Sequence, residues 1–204
     1  MHAAAVFAPV LLAGWPSWAQ GDSTPNPIVY KIEGQKEGEE MGSAIVVLGD
    51  VDRDGVKDFA ASMRYGVEPR TNPGRVNLYS GKNGTILRTW TGEQELEFLG
   101  YRTLVALPDI DGDGLPELGA STAFRGLDVY SPVTGERWYT VSTFLDVAQH
   151  DGPGDGFLAL PDLDGDGVGE FVGGAPEASF SDEAQRVGRI VLYSGRTGAS
   201  LWVR

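Results

Sequence analysis

Three nine-residue segments carry carboxylates at a spacing that suits a hard cation. They run Asp50–Asp58, Asp109–Glu117 and Asp162–Glu170, and all follow the pattern D-x-D-x-D-G-x-x-[D/E]. Asp at positions 1, 3 and 5 of a tight turn surrounds one point; these are Asp50, Asp52 and Asp54, then Asp109, Asp111 and Asp113, then Asp162, Asp164 and Asp166. Glycine at position 6 supplies the backbone bend. The carbonyl at position 7 (Val56, Leu115, Val168) can turn inward, and the acid at position 9 (Asp58, Glu117, Glu170) closes the shell. An all-oxygen set favours calcium over zinc or copper, and suits calcium better than strictly octahedral magnesium. The expectation is about three Ca2+ ions, one per loop, each bound at roughly 0.1–1 mM as in extracellular modules. Asp and Gly also make turns without metal, but four carboxylates within nine residues repel one another unless a cation sits among them. With every ligand supplied by protein, the loops offer no open catalytic position.

The EF-hand shares the first half of this pattern. It also needs a bidentate Glu at position 12 and flanking helices. Position 12 here is Ala61, Ala120 or Gly173, and the flanking residues are strand-like.

The loops repeat within a larger unit. A strand precedes each (Ala44–Leu48, Thr103–Leu107, Phe157–Leu160) and another follows (Phe59–Ser62, Leu118–Ser121, Phe171–Gly174). A third strand ends in Tyr79-Ser80, Tyr130-Ser131 or Tyr193-Ser194 and turns through a hairpin. A fourth carries a tryptophan: Ile86–Trp90, Arg137–Val141 and Ala199–Val203, with Trp90, Trp138 and Trp202 read as inter-blade core. Four short strands repeating every ~40–60 residues, with no helical periodicity, predict β-propeller blades. The fold class is therefore all-β: three complete blades of four antiparallel strands plus one N-terminal strand, in an incomplete propeller, open or truncated. Strand alternation puts the acidic 1–2 loops and the 3–4 turns on one face. The irregular 2–3 loops fall on the other, where binding specificity is usually placed. Arg64, Tyr65, Arg70, Asn72, Phe124, Arg125 and Phe180 are the candidate recognition residues there.

Composition narrows the function. The net charge of −13 argues against nucleic acid, and twelve of the 29 acidic residues fall in the three loops. Without cysteine, disulfides, thiol catalysis and Cys-based zinc sites are excluded. Residues 1–19 read as a signal peptide, with an apolar run Ala3–Gly14 and small Ser17 and Ala19 before a cut at Gln20. The run is too short to span a bilayer. Residues 20–27 read as a leader, and 28–204 as propeller repeats, with blades at about 42–97, 98–145 and 152–204 and a strand of a preceding blade at 28–33.

The three acidic loops, together with Val172-Gly173-Gly174-Ala175-Pro176, make the chain resemble the FG-GAP repeat family: the blades of the integrin alpha-subunit propeller and its bacterial secreted relatives. The resemblance runs from about Gly42 to Arg204. The "FG" element is Met41-Gly42, Leu99-Gly100 and, less cleanly, Asp155-Gly156; blades one and two replace "GAP" by Ala60-Ala61-Ser62 and Gly119-Ala120-Ser121. The resemblance implies calcium-stabilised blades, a ligand held by the opposite face, and adhesion or recognition more often than catalysis. The leading expectation is a secreted, periplasmic or cell-surface calcium-binding module, not an enzyme. Its expected partner is a protein or glycan, with self-association through unpaired blade edges as a further expectation. The alternatives are a non-catalytic segment of a larger secreted protein, and a propeller hydrolase or lyase using loop carboxylates such as Glu68, Glu93, Asp128, Asp146, Asp151 and Glu177.

Overall fold

The computed structural model describes residues 30–35, 37–63, 73–123, 126–141, 156–175 and 188–203. The chain divides into two units, Met1–Lys31 and Ile32–Arg204, and every strand lies in the second. Among the described residues there is no helix. The strands form three four-stranded antiparallel sheets, each in sequence order, and no sheet closes on itself.

Blade one holds β1 (Met41–Gly49), β2 (Asp58–Met63), β3 (Arg75–Tyr79) and β4 (Ile86–Thr91). Blade two holds β5 (Leu104–Leu107), β6 (Glu117–Thr122), β7 (Gly126–Tyr130) and β8 (Arg137–Val141). Blade three holds β9 (Gly156–Ala159), β10 (Phe171–Ala175), β11 (Arg189–Tyr193) and β12 (Ser200–Val203). Tyr30–Glu33, the described part of the expected N-terminal strand, carries no strand. Ile32 is the one β-branched residue of that stretch, and each of the three sheets has its own fourth strand.

Side chains alternate across each strand, so each blade has two faces, and the registers define them. The front face carries Phe59, Ala61 and Met63 in blade one, Leu118 and Ala120 in blade two, and Phe171 and Gly173 in blade three. The back face carries Ala60 and Ser62, then Gly119 and Ser121, then Val172 and Gly174. The back of blade one packs on the front of blade two, where Leu48, Ala60, Val76, Leu78 and Trp90 meet Leu104, Leu118, Ala120 and Tyr130. The back of blade two packs on the front of blade three, where Leu107, Leu127, Val129 and Val141 meet Phe171, Val191 and Tyr193. Blade two is thus covered on both sides, and every residue of β6 and β7 is buried. That accounts for β6 reading as a run of small and apolar residues rather than a polar-apolar alternation.

A bulge interrupts the β3–β4 ladder at Tyr79, and the same irregularity recurs at Tyr130 and Tyr193. The bulge falls at the same place in every blade, and the tryptophans stand at different positions beyond it, 11, 8 and 9 residues after the tyrosine. Trp90 pairs with Val76 and is 6% exposed in the core, with its indole N–H donating to the Gly135 carbonyl at 3.0 Å. Trp138 is the extra residue of its bulge and is 40% exposed, so the expectation of inter-blade core fails for it. The side chain of Trp202 lies outside the described residues.

Candidate metal centres

Each acidic loop joins the first strand of its blade to the second, and closely similar backbone hydrogen bonds shape all three. Position 1 gathers the turn. Asp109 accepts from Gly112 N at 2.7 Å and Gly114 N at 2.8 Å, and Asp162 from Gly165 N at 2.7 Å and Gly167 N at 2.9 Å. Asp50 accepts from Asp54 N and Gly55 N, both at 2.9 Å. The position 3 acids Asp52, Asp111 and Asp164 each accept from the position 5 N–H at 3.1 Å. The position 5 acids Asp54, Asp113 and Asp166 accept from the N–H of Val56, Leu115 and Val168 at 2.8–2.9 Å. The position 1 acids accept these N–H groups on both oxygens, and the acids at positions 3 and 5 on one.

The glycine at position 6 has a left-handed φ in every loop: +90° at Gly55, +87° at Gly114 and +89° at Gly167. Position 4 is left-handed as well, and there blade one carries Arg53 at φ 61° where the others have Gly112 and Gly165. This second requirement was readable in the D-x-D-G-D-G form of the second and third loops. The strands on either side exclude the EF-hand arrangement.

The structure brings the carboxylates together as three clusters. Asp162, Asp164, Asp166 and Glu170 each place a ligand oxygen within 4.8 Å of the others; Asp50, Asp52 and Asp58 do so in blade one, and Asp109, Asp111 and Glu117 in blade two. Ligands at ~2.3–2.6 Å from calcium span at most about 5 Å across the ion, so all three clusters fit one. Asp54 and Asp113 stand outside their clusters. The Asp54 carboxylate accepts from Ser80 Oγ at 3.4 Å, and its carbonyl from Lys82 Nζ at 3.2 Å.

Position 9 separates the three sites. In blade one, Asp58 is fully buried and accepts three backbone N–H groups. One oxygen accepts from Val51 N at 2.7 Å and Asp52 N at 3.2 Å, and the other from Gly81 N at 2.9 Å. In blade two the residue matching Gly81 is Pro132, which has no N–H to give. Glu117 accepts from Ile110 N at 3.0 Å, and its carboxyl is pushed up to about 7, first by burial and then by repulsion from Asp111, Asp109 and Asp113. In blade three Glu170 Oε2 accepts from Leu163 N, while Oε1 is buried and has no hydrogen-bond partner. A fully buried carboxylate oxygen left unpaired beside three aspartates is a position that a cation would satisfy.

The sequence puts the 3–4 turns on the same face as the acidic loops, and the structure adds the contacts between them in blades one and three. Arg196 reaches across to Asp166, with Nε 3.0 Å from Oδ2 and Nη2 2.6 Å from the carbonyl. Lys82 and Arg196 both follow a Tyr-Ser-Gly, and blade two has Val133 at that place. The glycine is required: a Cβ on Gly81 would lie 1.9 Å from the Lys57 carbonyl oxygen, and one on Gly195 1.9 Å from that of Gly169.

Other candidate residues fare differently. Arg64, Tyr65, Arg70, Asn72, Phe124, Arg125 and Phe180 lie outside the described residues, as do Glu68, Asp146, Asp151 and Glu177. Glu93 and Asp128 share one guanidinium, Arg137, at 3.1 and 3.6 Å. Asp128 is buried between blades, where Thr140 Oγ1 donates to it at 2.6 Å and Tyr130 OH at 3.2 Å. Asn77 holds the same position in blade one, donating to Tyr79 and accepting from Thr89. The pair therefore braces a blade interface.

No family model matches the chain. Over 165 residues it is 32% identical to integrin alpha-V of Gallus gallus, a match covering 74% of this chain and 15% of that protein. Over 112 residues it is 33% identical to integrin alpha-5 of Xenopus laevis, covering 50% of this chain and 10% of that protein. The chain carries integrin alpha-like FG-GAP repeats. It spans only those small shares, 15% and 10%, of the relatives it matches. The name-giving elements of the FG-GAP repeat now have a physical reading. Leu99 is fully buried in the interface of blades one and two. Gly100, at φ +77°, leaves no room for a side chain: a Cβ would meet Ser62 Cβ at 2.6 Å. In the "GAP" strand of the third FG-GAP repeat, a Cβ on Gly173 would meet the Phe157 ring at 2.7 Å. These residues set how closely strands and blades approach, and the acidic loops sit apart from them.

Proposed function

We propose that this chain is a calcium-binding FG-GAP recognition module that acts outside the cytoplasm, with one Ca2+ bracing each blade. The unpaired Oε1 of Glu170 beside Asp162, Asp164 and Asp166 carries the reading. Ligands would be the position 1, 3 and 9 carboxylates, joined in blade three by Asp166, with the carbonyl of Val56, Leu115 or Val168. The cation supplies charge neutralisation and ties the turn to the start of the second strand. Since it would bind the folded loop and not the unfolded chain, occupancy raises stability. The integrin alpha resemblance supports a non-catalytic, extracellular role, with a protein or glycan held by the 2–3 loops on the opposite face. The blades are read as 42–97, 98–145 and 152–204, following residues 1–19 as a signal peptide.

Calorimetric calcium titration with parallel thermal melts tests this. The wild-type chain should take up about three ions in the range ~0.1–1 mM and melt higher in calcium. The combined variant Asp52→Ala, Asp111→Ala and Asp164→Ala should lose both effects. Unchanged binding and melting in that variant would sink the proposal.

A further inference from the structure

The 3–4 turns of blades two and three are each held by a side chain of the blade before. At the first junction Arg88 Nε donates to the Pro132 carbonyl at 3.2 Å, and Trp90 Nε1 to that of Gly135 at 3.0 Å. At the second, Tyr139 OH donates to the Gly195 carbonyl. Arg88 pairs with Leu78 as Tyr139 pairs with Val129, so the two donors hold one position in the repeat. Their targets also hold one position, Pro132 and Gly195 each standing two residues after the tyrosine of the third strand. The glycine that ends each turn lies against the same donor. A Cβ on Gly135 would sit 2.4 Å from Arg88 Nη1, and one on Gly198 2.6 Å from the Tyr139 ring.

In blade three the turn held in this way is the one that abuts the acidic loop. Gly195 packs on the Gly169 carbonyl and beside Val168, whose Cγ1 lies 3.1 Å from the Cβ position of Gly195. Arg196 bonds both the carboxylate and the carbonyl of Asp166. Val168, whose carbonyl is a candidate ligand, is only 4% exposed there. Pro108 of blade two adds a second contact, its Cγ 3.1 Å from the Cβ position of Gly169. A hydroxyl of blade two thus fixes Gly195, and Gly195 fixes Val168 and Gly169. Those two residues join Asp166 to Glu170 on the chain between, and both acids belong to the third cluster.

We infer that Tyr139 is a positioning residue for the third cation site: through the Gly195 turn, a side chain of blade two holds the acidic loop of blade three in its cation-binding shape. The inference rests on the cation reading above and adds that this site is complete only with blade two in place. Tyr139 is not itself a ligand. It acts by ordering the turn before the ion arrives, which lowers the cost of binding. Such coupling is reciprocal, so a cation in the third loop also strengthens the contact between blades two and three.

The test uses the full chain in two backgrounds. Asp52→Ala with Asp111→Ala leaves only the third site, and Asp111→Ala with Asp164→Ala leaves only the first. Tyr139→Phe keeps the ring against Gly198 and removes the donor. Calorimetric calcium titration should show the third site weakened roughly two- to tenfold, the range for one lost hydrogen bond, and the first site unchanged. In chelator, amide hydrogen exchange should quicken at Gly198, whose N–H closes the turn onto the Ser194 carbonyl, and not at its counterpart Gly84, whose N–H bonds Ser80 in the same way. A third site whose affinity ignores Tyr139→Phe, or two sites weakened alike, overturns the inference and leaves the cation reading standing. Unchanged exchange at Gly198 in chelator overturns it as well. A third-site background that takes up no calcium fails the cation reading, and the inference falls with it.

Discussion

Glu170→Gln should reverse its effect on stability according to whether calcium is present. The Glu170 side chain is fully buried; one oxygen takes the Leu163 N–H and the other has no partner. In chelator, an amide removes one of four clustered negative charges. It also turns the orphan oxygen into a donor facing Asp162, Asp164 and Asp166. An unsatisfied buried polar group costs about 1–3 kcal/mol, so the cation-free variant should be more stable by that order. At about 2–4 °C per kcal/mol for a chain of this size, Tm should rise by roughly 2–12 °C. In about 10 mM calcium, a site of Kd ~0.1–1 mM contributes about 1.4–2.7 kcal/mol. The variant forfeits most of that, so its advantage should shrink to nothing or change sign. Asp58→Asn supplies the contrast. Asp58 already accepts three backbone N–H groups, so its amide must set a donor against a donor, and Tm in chelator should fall by a comparable amount. Differential scanning calorimetry of the three proteins, in chelator and in calcium, measures all of this. A Glu170→Gln chain that melts lower than wild type in chelator and keeps its full calcium shift would refute the reasoning.

The remaining expectations concern the neighbouring residues. Burial pushes the Glu117 carboxyl up from its ordinary value of 4.5 to about 7, so between those values the folded, cation-free chain holds a proton that the unfolded chain has released. Its contribution to stability in chelator is therefore full below pH 4.5 and falls as pH rises through 7, and Glu117→Gln should remove that part of the slope in melts run across the range. Gly195→Ala drives a methyl into the Gly169 carbonyl oxygen and should cost about 1–3 kcal/mol in urea unfolding, while Gly156→Ala, with open space around it, should be neutral or slightly stabilising. Arg196→Val, which copies Val133 of blade two, takes a half-exposed cation off Asp166; calcium titration should show the third site tightening by roughly two- to fivefold, as expected for a surface ion pair worth under ~1 kcal/mol.

Much of the site was legible in the sequence because it is local. Positions 1, 3 and 5 of each loop bond to N–H groups two to five residues away, so the spelling D-x-D-x-D-G determines the turn wherever it occurs. The strand on either side follows from the same locality: β-branched and aromatic residues bounded by glycine and turn residues, and a Tyr-Ser hairpin at a fixed offset. Three loops and three hairpins in step were enough to give four strands per blade and the all-β class.

What the sequence could not supply comes from residues distant along the chain. Asp58, Glu117 and Glu170 look interchangeable at position 9. They differ because the hairpin that closes over them offers an N–H at Gly81 but none at Pro132, and because Glu170 Oε1 finds no partner in its pocket. Trp90 and Trp138 both look like core, yet Trp90 pairs with Val76 while Trp138 falls on the unpaired bulge residue and is 40% exposed. Tyr30–Glu33 carries no strand, although the sequence led one to be expected over residues 28–33. Covering of the sheet faces is likewise a property of neighbours: Val76 and Ile190 hold equivalent positions, yet Val76 is buried under blade two and Ile190 is 55% exposed. Local hydrogen bonding lets the chain specify its loops and strands alone; burial and electrostatics are set by whatever packs against them, and that is decided by the tertiary structure.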